Sequence, residues 1–353
     1  NVFVQNDIIS PNGTRFSSKP IALTGKNQEQ KIKLSNPQLW DLESPHLYTL
    51  ESTVIIDKKI VDKTETKFGI RTIEFDAEKG FSLNGKHIKM KGVCLHHDLG
   101  PLGAAVNRRA TERQIEMLKD MGCNAIRTSH NPASREQIAL CDSMGMLVIE
   151  EAFDEWKSGK GTNGYALDFD RWAEQDLTDI IMRDINSPSI IMWSLGNEIR
   201  EQNIKGGVEV AKYLNDIAKR VDPTRPTTAG FNAHVNAIKN GLADVVDIVG
   251  FNYKPHDYPT YHTSHPQYIL YGSETASTVS SRGDYKFPAK PFQDAWYHDY
   301  KVCVGALLPI RNLRRKKIAL ILLANLFGLA LIILENLPHT MPERLHVVHI
   351  SGL

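Results

Sequence analysis

Apolar positions along this chain follow two rhythms. Over residues 1–75 they alternate with polar ones, as in 30–34 and 47–56, which puts successive side chains on opposite faces of an extended strand. Pro11-Asn12-Gly13, Asn36-Pro37 and Ser44-Pro45 interrupt these runs with turn-forming residues. The pattern predicts a small antiparallel sandwich of the immunoglobulin-like kind, too short to hold every strand of a complete one. From about residue 78 the rhythm becomes an apolar run followed by a helical period, repeated. Runs at 88–95, 125–128, 147–151, 190–195, 226–230, 248–252 and 268–272 predict seven strands. Helices are predicted over 111–121, 135–144, 170–184 and 208–221, the first capped by Thr111 and stopped by Gly122.

Alternating units of this kind imply a parallel sheet. Polar residues gather directly after the strands: His96-His97, His130-Asn131, Glu151, Asn197-Glu198, Tyr253 and Glu274. In a (β/α)8 barrel, that edge is the catalytic rim. An open doubly wound sheet is the alternative, but no glycine-rich phosphate loop follows the first strand. The expected organisation is a partial sandwich over 1–75, a TIM barrel over 76–302, and a segment over 303–353 that fits neither.

Two carboxylates stand out on the rim. Glu198 closes the run Ile190-Ile191-Met192-Trp193-Ser194-Leu195-Gly196-Asn197, and Glu274 closes Tyr268-Ile269-Leu270-Tyr271-Gly272-Ser273. Such a pair at strand ends is what glycosidic cleavage needs, one group as acid/base and one as nucleophile. A lone glutamate after a core strand is more often an ordinary surface residue, and it is the flanking residues that change that weighting.

Composition narrows the alternatives. The near balance of 42 basic and 41 acidic residues leaves no positive excess for a nucleic-acid partner. Cys94, Cys123, Cys141 and Cys303 lack close metal-type spacing and, in a chain this long, do not read as a disulfide framework. The first three lie in or beside apolar runs and read as buried thiols. The start, Asn1-Val2-Phe3-Val4-Gln5, carries no signal peptide and reads as mid-strand. The chain is expected to begin inside a domain, which leaves a cytoplasmic, periplasmic or secreted location open.

The stretches Phe68-Gly69-Ile70-Arg71, Asn84-Gly85-Lys86, Lys91-Gly92-Val93, Arg127-Thr128-Ser129-His130, Asn197-Glu198 and Gly272-Ser273-Glu274 occur in an order that resembles glycoside hydrolase family 2, the β-galactosidase and β-glucuronidase family. The resemblance covers most of residues 30–300. It implies a retaining exo-β-glycosidase working by double displacement, with Glu198 as acid/base and Glu274 as nucleophile. Glu198 then needs a raised pKa and Glu274 an ionised carboxylate. Asn197 matches a residue that binds the sugar 2-hydroxyl, Tyr253 one that orients the nucleophile, and His96 a sugar contact. Arg127 and His130 match a motif of the pocket floor, although Arg127 also reads as a buried charge with a carboxylate partner and His130 as a loop cap. Trp156 reads as a sugar-stacking platform, and Trp193 as core.

Some galactosidases of the family hold magnesium with a Glu and a His two residues later. The comparable stretch here, 151–157, puts Lys157 in the place of that His. A cation there repels Mg²⁺, so no metal and no cofactor is expected. The implied partner is a carbohydrate, with no nucleic acid and no membrane, and a homo-oligomeric full-length protein is compatible with the resemblance. A β-galactosidase is the leading expectation and a β-glucuronidase the alternative. An inactive, truncated carbohydrate-binding fragment is the alternative from another class.

After about Val302 the family pattern stops. Arg314-Arg315-Lys316-Lys317 precedes a run over 318–334 whose only polar residue is Asn325, a short transmembrane candidate at face value. A different origin accounts for it. The family's eighth strand resembles Gly-Glu-Phe-Val-Trp-Thr-Gly-Phe-Asp-Tyr-Leu-Gly-Glu-Pro-Thr-Pro-Tyr. One permitted coding of that peptide, read one nucleotide later, spells residues 324–339 without a mismatch. The expectation is an out-of-frame tail, loss of the eighth strand, and a barrel with two unpaired edges that is poorly stable.

Overall fold

The computed structural model describes residues 2–25, 29–275, 278–279, 301–302 and 330–333. At the N-terminal end, Arg15–Ser17, Val2–Ile9, Tyr48–Ile56 and Lys59–Phe68 pair in that order in one antiparallel sheet, and Ile21–Ala22 adds to Val2–Ile9. This is one layer of the predicted sandwich. The segment 30–34 is not a strand. Lys31 and Lys33 are exposed and Ile32 and Leu34 half-buried, as alternation requires, but no neighbour pairs with it among the described residues.

A three-stranded antiparallel sheet, Ile73–Asp76, Gly80–Leu83 and Lys86–His87, leads into the barrel. Its Phe81 and Leu83 are buried with Met90, Ala125, Leu147, Ile191, Ile248 and Tyr271, so it plugs the lower end of the barrel. The seven parallel barrel strands are Lys91–His96, Ala125–Ser129, Leu147–Glu151, Ile190–Asn197, Thr227–Phe231, Ile248–Asn252 and Ile269–Glu274. Their near-continuous apolar character reflects burial on both faces, inside by the plug and outside by helices.

Helices Arg108–Asp120, Arg135–Met144, Phe169–Asp184 and Gly207–Val221 follow the first four strands. The first begins earlier than predicted. Asn107, not Thr111, is its cap and accepts from the Ala110 N–H at 3.0 Å, whereas Thr111 is buried inside the helix. The second runs over the predicted residues, between a Ser134 cap and Gly145. Gly145 has φ of 68°, and a Cβ there would lie 2.3 Å from the Leu42 carbonyl oxygen, so both conformation and close approach demand glycine.

The N-terminal part is tied to the barrel by buried polar contacts. Trp40 Nε1 donates to the Asp142 carbonyl at 2.7 Å. Arg71, within the Phe-Gly-Ile-Arg stretch, donates to the Pro188 and Ile190 carbonyls at 2.6 and 2.5 Å.

The expectation of two unpaired barrel edges is corrected. Ala330–Ile333 occupies the eighth place and pairs with both Ile269–Glu274 and Lys91–His96. It runs antiparallel to each, unlike the other seven. Edge N–H and C=O groups accept any extended segment that reaches them, whatever its direction. Among the described residues, no helix is long and apolar enough to cross a membrane. Apart from 330–333, the apolar run at 318–334 lies outside the described residues, as does Cys303.

Candidate active site

Glu274 ends the seventh strand and is 3 % exposed, while Glu198 follows directly on the fourth strand and is half-buried. Both lie on the carboxyl rim, because parallel strands place all their C-terminal ends on one side. Glu198 has φ of 42° and Tyr253 φ of 59°, left-handed values that cost about 1–3 kcal/mol each in a side-chain-bearing residue. The surrounding hydrogen bonds hold both residues in those conformations.

Arg127, from the second strand, is the hub beneath the pair. Its Nη1 donates to Glu274 Oε1 at 2.8 Å, and its Nε and Nη2 donate to Glu151 Oε2 at 3.1 and 2.6 Å. Ser194 Oγ donates to the same Glu151 oxygen at 2.6 Å. His130 places Nδ1 at 2.6 Å from Glu151 Oε1 and Nε2 at 3.3 Å from Glu274 Oε1. A ring carrying both N–H groups donates to both carboxylates. The Tyr253 hydroxyl donates to Glu274 Oε2.

On the Glu198 side, Asn252 Nδ2 donates to Glu198 Oε1 at 3.0 Å and to Asn197 Oδ1 at 3.1 Å. Ser273 Oγ donates to Asn252 Oδ1 at 2.6 Å and so orients that amide. Asn197 Oδ1 also accepts from Arg127 Nη2 at 3.0 Å. Two donors assign the oxygen end of the Asn197 amide, so Nδ2 faces Asp154 Oδ1, 3.1 Å away. The network closes over Gly230 of the fifth strand. A Cβ there would sit 2.9 Å from Arg127 Nη2 and 3.0 Å from Asn252 Oδ1.

The two carboxyls are driven apart electrostatically. Burial pushes Glu198 above its ordinary value; the Asn252 hydrogen bond opposes this and the Glu274 charge adds to it. Burial alone would raise Glu274 too. The Arg127 charge, the His130 ring and hydrogen bonds from Tyr253 and Arg127 more than reverse that and hold it at about 2. One carboxyl is thus biased toward the acid and its neighbour toward the anion.

Other residues named from the sequence fall in different places. His96 is half-buried at the rim, edge-on to His130 with centroids 4.9 Å apart. Arg127 is fully buried, so it offers no direct contact to a sugar and acts as the partner of Glu274 and Glu151. Trp156 is likewise fully buried, its Nε1 donating to the Leu195 carbonyl at 2.7 Å. It presents no face for stacking; its ring packs under Gly196 and Ile199 as part of the core. Glu155 accepts from the backbone N–H groups of Lys160 and Ala166, and Lys157 pairs with Asp170 at 2.7 Å. Among the described residues there is no cluster of three or more His, Cys, Asp or Glu side chains able to hold a metal ion.

Sequence reasoning missed the roles of Glu151, Asn252, Ser273 and Asp154. Glu151 and Asn252 each end a strand on the rim, and that position was the available signal. A groove of about 1100 Å³ flanks the site, lined by Asp154, Lys160, Tyr165, Arg135 and Arg183.

Residues 76–279 match the family model for the TIM barrel domain of glycosyl hydrolases family 2, and residues 1–71 match a second model of that family. The β-galactosidase BoGH2A of Bacteroides ovatus is 42% identical over 291 residues, 74% of this chain and 34% of that protein. A putative β-glucuronidase of Formosa agariphila is 32% identical over 313 residues, 88% of this chain and 28% of its own length. The crystal structure of a glycosyl hydrolase family 2 member from Bacteroides cellulosilyticus superposes with a TM-score of 0.72 at 40% identity, covering 79% of this chain and 36% of that one. The chain thus spans about a third of the length of these relatives.

Proposed function

The chain belongs to glycoside hydrolase family 2, and we propose that its barrel is the catalytic domain of a retaining exo-β-glycosidase, a β-galactosidase in the first instance. The observation that carries this reading is the placing of two carboxyls on one rim and in one hydrogen-bond network, Glu198 half-buried and held by Asn252, Glu274 buried and held by Arg127 and Tyr253, an arrangement that favours the acid at the first and the anion at the second.

The chemistry follows from those states. Glu274 attacks the anomeric carbon while the bond to the leaving oxygen breaks and Glu198 gives that oxygen its proton. The product of this step is an ester between the sugar and Glu274. With the Glu274 charge gone, one cause of the raised Glu198 pKa disappears, and Glu198 is better able to remain ionised. It then takes a proton from water, whose oxygen attacks the anomeric carbon and releases Glu274. Asn197, oriented by Arg127 and Asn252, presents Nδ2 for the 2-hydroxyl.

The identity to a β-galactosidase supports a galactoside as substrate. A β-glucuronidase is the second reading, supported by the broader coverage of the Formosa relative and by a Bacteroides uniformis β-glucuronidase structure at 28% identity and TM-score 0.64. A panel of chromogenic β-galactosides and β-glucuronides separates the two. Proton NMR of the first-formed product is expected to give the β-anomer. An α-anomer, or sugar binding with no turnover of any β-glycoside, removes the proposal.

A further inference from the structure

Asp154 and Lys160 lie outside the set of catalytic groups but are wired into it. Asp154 Oδ1 accepts from Asn197 Nδ2 at 3.1 Å and from Lys160 Nζ at 2.7 Å. Both come from the segment after the third barrel strand, and both line the flanking groove. Their side chains are 42% and 28% exposed, so this pair is partly hydrated and accessible.

Asn197 has one amide, already committed at its oxygen to Arg127 and Asn252. Among the described residues, Asp154 holds its nitrogen end. The two donors on its oxygen set the plane of that amide, and Asp154 reinforces the setting by engaging one of the two N–H groups, which leaves the second for a substrate hydroxyl. Lys160 in turn fixes Asp154 and brings a positive charge to the side of the site where Glu198 sits.

We infer that Asp154 and Lys160 form a positioning pair: Asp154 orients Asn197 toward the sugar 2-hydroxyl, and the opposed charges of the two residues tune the acid strength of Glu198. This rests on the glycosidase reading above. The groups that bear on Glu198 are Glu274 from the seventh strand, His130 beyond the second and Lys160 beyond the third, with Asn252 donating from the sixth. Arg127, Glu151 and Asp154 stand behind them. Of these, Lys160 favours the ionised form of Glu198, and neutralising Asp154 leaves that Lys160 charge uncompensated.

The two residues therefore predict opposite outcomes. Lys160→Met raises the Glu198 titration point and moves the basic limb of the kcat/KM profile to higher pH. Asp154→Asn, which keeps an acceptor for Asn197 and Lys160, lowers both. Lys160→Arg restores the parent profile. Asp154→Ala, which also releases Asn197, loses more kcat/KM on the parent glycoside than on its 2-deoxy analogue, with KM changed less than kcat.

The Glu198 titration is read directly by NMR of protein labelled at the glutamate side-chain carbon, with Glu198→Gln assigning the signal, so it does not depend on turnover. Shifts of opposite sign support the pair even where no turnover is found, a result that would sink only the functional reading. Charge variants that remain folded by circular dichroism yet leave the titration unmoved, or move it the same way, overturn it.

Discussion

Arg127 Nη1 lies 2.8 Å from Glu274 Oε1, while the other edge of the same guanidinium is held by Glu151. The fork therefore anchors Glu274 against a second buried carboxylate, and among the described residues no other Lys or Arg side chain pairs with either acid. Arg127→Met leaves both carboxylates without this counter-charge. Breaking a buried pair in this way costs about 3–5 kcal/mol. Urea denaturation at neutral pH is expected to show a loss in that range, with Arg127→Lys intermediate because it restores charge without the fork. A change of under about 1 kcal/mol, the size of an exposed pair, would contradict the role.

The pH dependence follows from the two shifts. Glu274 lies at about 2, below its ordinary 4.5, so its contribution to stability is complete above the ordinary value and is lost as pH falls through about 2. Glu198 is raised, so its contribution is complete at low pH and is lost as pH rises through its folded value. The kcat/KM profile is expected to be a bell whose basic limb belongs to Glu198. Glu198→Ala should cost about 10²- to 10⁴-fold on substrates with poor leaving groups and far less on activated aryl glycosides. Equal losses on both would remove Glu198 as the acid.

Tyr253 tests the orientation of Glu274, the proposed nucleophile. Its hydroxyl donates to Glu274 Oε2, the oxygen that Arg127 leaves free. A hydrogen bond to a charged group contributes about 1.5–3 kcal/mol. Tyr253→Phe should therefore cost stability of that order, and kcat should fall by about 10- to 100-fold at temperatures where the variant remains folded. Steady-state kinetics beside a thermal melt make the comparison.

Gly230 has no chemistry of its own. An added methyl would meet Arg127 Nη2 and Asn252 Oδ1 at 2.9 and 3.0 Å, in the middle of the polar network. Gly230→Ala is expected to cost about 1–3 kcal/mol of stability by overpacking. It should also displace the Asn252 bond to Glu198, moving the basic limb of the pH profile. A variant with native stability and an unshifted profile would mean that the network yields without consequence.

The tail is open to a test at the level of the gene. The residues in the eighth barrel place, Ala330–Ile333, run against the direction of their neighbours and fall within the stretch 324–339 that reads as a shifted translation. We propose that another frame of the coding sequence specifies a Gly-Glu-Phe-Val-Trp-type strand, which would enter parallel like the other seven. Sequencing the DNA decides this directly. If no frame encodes such a strand, the tail is genuine.

Much of the barrel was legible before any coordinates. Leu147–Glu151, Ile248–Asn252 and Arg135–Met144 fall on their predicted residues, because apolar runs and a Ser–Gly pair of caps are local signals. The strand expected at 30–34 was not found, because alternation describes a face and cannot supply a ladder partner. Trp156 misled for a related reason. Its position after a rim strand says nothing about whether its ring turns outward, and the close approach of Gly196 and Ile199 turns it into the core.

By itself, the sequence determined the parallel barrel, the rim, and the two glutamates that end its fourth and seventh strands, since periodicity and strand ends are properties of short segments. Only the tertiary structure decided what those glutamates are. Arg127, Glu151, Asn197, Asn252 and Tyr253 come from four different strands or the loops after them, and the distances between them exist only once the sheet has curled. It is this convergence, with burial raising one carboxyl and Arg127 holding down the other, that biases one of two like side chains toward the acid and the other toward the anion, as the proposed roles require.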